Sequence, residues 1–322
     1  MLIDLAATAP WYLDHLAPVW LALPEALRGT AYVPSSMRDR AIKLGFDRVW
    51  WPGKARGNLT LVAGVKDARR MRSRGSPTVY LAHGIGQWYS DAHSSYPGGR
   101  NREGVVLFLC ANEQSAAANR AMYPASRSVA IGMPKLDVWA DQVPKPWNKP
   151  PVVATSFHWN CHVAPESEGA FEYYKDALIP LKDEYTLLGH AHPRLMPTAR
   201  KWYQQHHVAV AEHFDEVMER ADVYMCDNSS TLYEFAATGR PVVVLNAPWF
   251  RRDVEHGLRF WEFADVGVQC DSPESLRSSL EQAVEDADPM PAHRRVVCEQ
   301  VFTKLDGMAT ERAVAEIMEE VS

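Results

Sequence analysis

Short apolar runs alternate with stretches whose apolar positions recur every three or four residues, and this alternation continues through the chain. Compact apolar runs bounded by turn residues predict strands, and the longer period predicts amphipathic helices. In the first half LIDLAATA, GTAYVP, NLTLVAG, PTVYLAHG, GVVLFLCAN and SRSVAIGMP read as strands. Between them PWYLDHLAPVWLAL, SMRDRAIKLGF, VKDARRMRSRG and EQSAAANRAMY read as helices. Proline opens the first helix, Ser35 or Ser36 caps the second, and Gly75 closes the third. In the second half the strands are PVVATSF, YTLLGHAH, VAVAE, DVYMCD, RPVVVLNAP and VGVQCD. The helices there are GAFEYYKDALIPLKDE, ARKWYQQHH, FDEVMERA, STLYEFAATG, PESLRSSLEQAVEDA and a long last stretch broken near Gly307.

β-rich runs joined by helices predict parallel sheets covered by helices on both faces. Gln142–Pro151 holds four prolines in ten residues, a density that no helix or central strand survives, and it is read as a linker. The fold class is therefore α/β: two Rossmann-like, doubly wound domains, 1–145 and 150–322, with a cleft between them. The last helix is expected to pack back on the first domain.

At 322 residues and 47% apolar, the chain is long enough for two packed cores. No apolar run approaches the ~20 residues that cross a bilayer. The N-terminus lacks the basic start of a secretory signal and carries early acids, so a cytoplasmic protein is expected. Five scattered cysteines with no C-x-x-C pair fit buried thiols in a reducing compartment.

The net charge of −6 conceals an asymmetry. Residues 1–150 hold 19 Lys+Arg against 11 Asp+Glu, which leaves the first half at +8 and the rest at −14. The excess concentrates in Lys54–Gly75, where seven cations meet one acid. Such a face attracts an anionic partner: a polyphosphate, a nucleic acid or an acidic membrane. An ordinary solvated helix face has the same pattern.

Candidate chemistry gathers where strands end, because open α/β sheets bind ligands beyond the carboxyl ends of their strands. DNSSTLYEF, Asp227–Phe235, puts Asn228, Ser229, Ser230 and Thr231 at a strand end and a helix start. Backbone N–H groups and hydroxyls there suit a phosphate. Helix capping alone accounts for Ser and Thr at such a place. Glu234, one turn on, can accept from ribose hydroxyls. LLGHAHPR ends a strand with His190 and His192, followed by Arg194, all suited to phosphate oxygens. No carboxylate or cysteine stands at ligand spacing from the H-x-H pair, so no metal is expected. SFHWNCH places His158 at another strand end. In the first half YLAHGIGQWY puts His83 before Gly84, with Asp91 in the same loop. A histidine there can take the proton of an attacking hydroxyl. GMPKLD adds Lys135 and Asp137 near the expected cleft.

In their order, AHGIGQ, IGMPKLD, VVATSFHW, GHAHPR and DVYMCDNSSTLYEFAATGRPVVVLNAP resemble the CDP-glycerol glycerophosphotransferases of teichoic-acid synthesis. The wider group is the GT-B glycosyltransferase fold, which also holds UDP-N-acetylglucosamine 2-epimerases with a D-S-G-G-…-E-E segment spaced like Asp227 to Glu234. The resemblance covers roughly residues 78–270. It implies a metal-independent transferase with no cofactor beyond its nucleotide-activated donor, CDP-glycerol or a nucleotide sugar. The C-terminal domain would bind the donor diphosphate and the N-terminal domain the acceptor. Carried over by position, His83 is the acceptor base, helped by Asp91. His192, Arg194 and Asn228 to Thr231 contact the donor phosphates, and Glu234 the ribose. A non-hydrolysing nucleotide-sugar epimerase and a non-catalytic nucleotide- or glycan-binding module are the alternatives.

Overall fold

A computed structural model of the chain describes residues 1–46, 49–50, 57–85, 102–140, 146–160, 168–250, 265–285 and 291–321. These residues form two compact units. The first takes in 1–85, 102–140 and 299–321; the second takes in 146–298.

The first unit runs β1 (Ile3–Ala6), α1 (Pro10–Ala22), β2 (Arg28–Tyr32), α2 (Arg38–Lys43), β3 (Val49–Trp50), β4 (Leu59–Val62), α3 (Val65–Arg72), β5 (Thr78–Leu81), β6 (Val105–Cys110), α4 (Glu113–Met122) and β7 (Arg127–Ala130). A 3₁₀ segment, Pro134–Trp139, follows. All strand pairs are parallel, in the order β3-β2-β1-β4-β5-β6-β7. Alternate residues face opposite sides of a strand. Leu5, Leu61, Val79, Leu107 and Leu109 accordingly join one core, and Ala6, Val62, Tyr80 and Phe108 the other. Both faces are buried, which explains why the strands read as continuous apolar runs.

The second unit runs β8 (Val152–Ser156), α5 (Phe171–Tyr174), a 3₁₀ stretch (Lys175–Asp183), β9 (Thr186–Gly189), α6 (Met196–Gln205), β10 (Ala209–Val210), α7 (Phe214–Arg220), β11 (Val223–Cys226), α8 (Thr231–Ala236), β12 (Val242–Leu245), β13 (Val268–Cys270) and α9 (Leu276–Val284). Then come α10 (Pro291–Phe302) and α11 (Ala309–Val321). Its sheet is also parallel, ordered β10-β9-β8-β11-β12-β13. In both sheets the winding reverses beside the first strand, at β1/β4 and at β8/β11. Such a reversal opens a crevice at the strands' carboxyl ends.

Two local expectations change. GAFEYYKDALIPLKDE forms one turn of α-helix and then 3₁₀ structure, because Pro180 removes a donor and crowds the preceding turn. β3 was not foreseen; two residues carry no periodicity to read.

The helix α11 belongs to the first unit: Ala313 and Ile317 are buried in its core. Asp137 sets the start of that helix. Its Oδ1 accepts from the Ala309 N–H at 3.1 Å and its Oδ2 from the Thr310 N–H at 2.7 Å. Both carboxylate oxygens are thus used in capping, so Asp137 leaves the list of cleft candidates for a structural post. Arg127 holds the other end of the helix through Glu316, Glu319 and Glu320. Asp137→Ala should lower stability by about 1–2 kcal/mol, the usual cost of a lost cap, in a chemical-denaturation experiment. Nucleotide affinity should stay unchanged.

Candidate functional site

Three neighbouring strands of the second unit end together. β8 pairs with β11 as far as Ser156 opposite Cys226, and with β9 as far as Thr155 opposite Gly189. Their extensions carry His158 and Trp159, then His190 and His192, then Asp227 to Ser230.

Asp227 organises this end of the sheet. It is 0% exposed. Its Oδ1 accepts from the His158 N–H at 2.8 Å and its Oδ2 from the Ala170 N–H at 2.9 Å. One carboxylate thereby joins the loop after β8 to the residue that opens α5. The approach is close: a Cβ on Gly169 would lie 1.9 Å from the His158 carbonyl oxygen, so only glycine fits. Burial pushes the Asp227 carboxyl up to about 7, against the opposing pull of the N–H groups it accepts from.

The histidines form a cluster beside it. The His158 and His192 rings lie 5.2 Å apart between centroids, and the Trp159 ring 5.9 Å from His192. The Arg194 guanidinium stacks 4.1 Å over the Trp159 ring and remains exposed. His192 Nδ1 accepts from the Arg194 backbone N–H at 3.2 Å. In a neutral imidazole the proton then sits on Nε2, which makes that atom a donor. Burial holds His158 down at about 4, and the Arg194 charge adds to the effect.

The hydroxyl segment lies at the next strand end. Ser229, Ser230 and Thr231 are half-buried, whereas Asn228 and Glu234 are each 1% exposed. Among the expected phosphate and ribose contacts, the hydroxyls therefore reach the surface and the amide and carboxyl side chains do not. Ser230 starts α8 but makes no capping bond with its side chain. Thr231 Oγ1 instead donates to Ser229 Oγ at 2.9 Å. Because α8 has six residues, its dipole contributes little; side-chain donors carry the anion chemistry here.

His83 lies in the first unit at the end of β5, with Gly84 after it. Its Nδ1 stands 2.6 Å from the Ala63 carbonyl oxygen, beside the β1/β4 reversal. A carbonyl only accepts, so Nδ1 carries the proton and Nε2 the lone pair of a base. Tyr12 packs edge-on against the ring at 4.8 Å, with the His15 ring 6.3 Å away. Burial lowers His83 to about 4, with Arg102 and Lys135 adding charge repulsion. Asp91 lies outside the described residues. Tyr12, His15 and Trp159 were not singled out from the sequence; nothing in their local patterns separates them from packing residues. Among the described residues no group of three or more His, Cys, Asp or Glu could hold a metal ion. No described helix is long and apolar enough to cross a membrane.

Residues 167–319 match the family model described as CDP-Glycerol:Poly(glycerophosphate) glycerophosphotransferase. That span includes His192, Arg194, the hydroxyl segment and Glu234. Solved structures share the fold. S. aureus MnaA, solved with UDP, superposes with a TM-score of 0.67 at 15% identity, over 100% of this chain and 97% of its own. The wall teichoic acid polymerase TagF, in a form soaked with CDPG, gives 0.63 at 12% identity, over 99% and 88%. The UDP-GlcNAc 2-epimerase of Neisseria meningitidis, bound to UDP-GlcNAc, gives 0.61 at 14%, over 99% and 100%. No match was found among curated proteins. Residues 167–319 are thus similar to the CDP-glycerol glycerophosphotransferases, in a chain whose fold is of GT-B type.

Asp227 yields a pH test. Its folded value, about 7, lies above the ordinary 3.8, so the folded state holds this proton more tightly than the unfolded chain. The associated stability is full below about 3.8, falls as pH rises, and levels off above about 7. In urea titrations from pH 4 to 8, wild type should lose stability relative to Asp227→Asn up to pH 7, by a few kcal/mol at most. A pH-independent difference between the two would show that Asp227 titrates normally.

Proposed function

We propose that this glycerophosphotransferase-like chain moves a sugar or polyol-phosphate group from a nucleotide-activated donor, CDP-glycerol or a nucleotide sugar, to an acceptor hydroxyl without a metal ion. The observation that carries the proposal is that Ser229, His192 and Arg194, three donors, follow the ends of β11 and β9, the two strands that flank β8, all within residues 167–319, which match the transferase family. TagF was solved with CDPG and MnaA with UDP, which supports a nucleotide donor.

The chemistry follows from the donor set. The nucleotide's phosphates lie against Ser229, Ser230 and Thr231, with His192 Nε2–H and the Arg194 guanidinium on their other side. Asn228 and Glu234 lie buried beneath the hydroxyls and support them from below rather than touching the donor. The acceptor oxygen bonds to the carbon or phosphorus of the transferred group as the bond to the nucleotide side breaks. The leaving phosphate gains negative charge, and fixed donors aimed at that charge lower the barrier. His83 Nε2 takes the acceptor's proton, with Asp91 in support, while Gly84 leaves room for the acceptor. His158 stays neutral and shapes the donor pocket. No further cofactor is invoked. The acceptor is anionic: Lys66, Arg69 and Arg74 are exposed on or beside α3, and Lys135 adds a cation near His83. We place the protein in the cytoplasm, at the membrane face if its acceptor is lipid-linked.

Thermal-shift measurements with CDP-, UDP-, GDP- and ADP-linked donors should raise Tm with at least one, since a ligand bound only by the folded state stabilises it. His83→Ala should cut transfer by about 10²–10⁴-fold, the range for a general base, with donor Kd near that of wild type; loss of both in parallel would remove the base role. Because the base form of His83 prevails above about pH 4, kcat/KM should rise to that point and then stay level toward neutrality. Acceptor KM should climb steeply with salt. Turnover of a UDP-sugar with solvent hydrogen incorporated and no acceptor present would mark an epimerase instead.

A further inference from the structure

One buried histidine of the first unit takes no part in the transfer chemistry described above, and none in the hydrogen bonding that holds the fold. We propose that His15 is a specificity residue that hydrogen-bonds the acceptor hydroxyl next to the one His83 activates, so that the acceptor enters the crevice by a vicinal diol. The proposal rests on the base reading of His83.

His15 lies in α1, one turn after Tyr12, and residues three apart share a helix face. Both meet His83. The Tyr12 ring stands 4.8 Å and the His15 ring 6.3 Å from it, centre to centre, each edge-on. His83 is itself bonded to the Ala63 carbonyl at the end of β4. His15 therefore stands beside the β1/β4 reversal, where an open sheet takes its ligand. Tyr12, His83 and Gly84 around it are half-buried.

Its surroundings are unusual for a core residue. His15 is 5% exposed, yet its Nδ1 is sealed from solvent with no hydrogen-bond partner. Among the described residues the ring makes no hydrogen bond at all. Buried polar groups are nearly always partnered, because an unsatisfied one keeps its full desolvation penalty. Leu13 and Leu16, its neighbours in α1, join the core, and an apolar residue at 15 would carry no such penalty. Burial first, then the charges of Lys135 and His83, hold His15 well below its ordinary range. The ring is thus neutral, with one donor and one acceptor. No backbone group chooses between its tautomers, as Ala63 does for His83, so an incoming hydroxyl can.

The two rings divide the work. No hydrogen bond joins them. His83 Nε2 receives the proton of the attacking hydroxyl, and His15 meets a second oxygen of the same acceptor. Oxygens on adjacent carbons reach both rings, each through a bond of about 2.8 Å. A neutral pair suits uncharged hydroxyls rather than phosphate, and leaves the anionic part of the acceptor to the exposed cations on and beside α3.

The test uses the full chain, with CDP-glycerol and UDP-GlcNAc as donor probes and glycerol, 1,2-propanediol, 1,3-propanediol and 1-propanol as acceptors. Wild type should favour the first two acceptors over the last two by about tenfold in kcat/KM, the size of one good neutral hydrogen bond. His15→Phe keeps a ring and removes both nitrogens. It should erase the preference while 1-propanol turnover stays within about twofold, and His15→Gln should restore part of it. The Tm of His15→Phe should equal or exceed that of wild type, since a buried group without a partner is gone. A structural histidine behaves the other way: Tm falls and all four acceptors suffer alike. That result, or a preference unchanged in His15→Phe, overturns the proposal. Long-range ¹H–¹⁵N NMR gives a readout without turnover. Glycerol should draw the His15 ring toward one tautomer and 1-propanol should not; an equal response to both, or none, overturns the role of His15. If wild type transfers from neither donor, the donor reading falls, and the histidine spectrum judges His15 alone.

Discussion

One buried carboxylate holds the working end of the second unit together. The Asp227 side chain sits where β8 and β11 finish, and its two oxygens fix two loops that no strand pairing reaches. Without those bonds the His158 N–H and the Ala170 N–H would be buried donors lacking acceptors, each costing about 1–3 kcal/mol. With them, the loop after β8 is pinned and His158 and Trp159 are presented next to His192. Arg194 then stacks on Trp159, and its backbone settles which nitrogen of His192 carries the proton. The carboxylate tolerates burial because backbone donors face it; the same burial moves its titration into the neutral range.

The first unit uses a different device for a similar end. There a main-chain carbonyl, that of Ala63, decides the tautomer of His83 and turns Nε2 into the basic atom. Tyr12 braces the ring, and it can lie so close because residue 64 is glycine: a Cβ there would stand 2.4 Å from the tyrosine ring. In both units a histidine at a strand end is set by backbone rather than by a carboxylate partner. Burial keeps His83, and His158 beside His192, neutral well below pH 6. Neutral rings suit proton uptake and hydrogen bonding, not ion pairing with a substrate.

Much of the architecture was legible in the sequence for a simple reason. Sheets covered on both faces need continuous apolar strands, and such runs separate cleanly from helical periods. The strand-end positions of His83, His158, His192 and Ser229 follow from the same logic. What escaped depends on partners far away along the chain. Asp227 meets a loop 69 residues distant, and Asp137 a helix 172 residues on. Glu234 and Asn228 were legible as polar groups beside the expected phosphate contacts, but the sequence holds no sign of their burial. Pro180 did announce a fault in its helix, and the structure there is 3₁₀.

The helix α11 closes the core of a unit whose first strand begins at Ile3. During synthesis the ribosome therefore delivers every strand of the first sheet long before the helix that seals it. The strands of the second unit all lie between Val152 and Cys270, ahead of α11. The second unit is thus free to mature while the first waits with an apolar face unfilled. Shortening the chain by its last two dozen residues would damage the half that was made first, and cutting it at the proline-rich linker would not release two self-sufficient pieces.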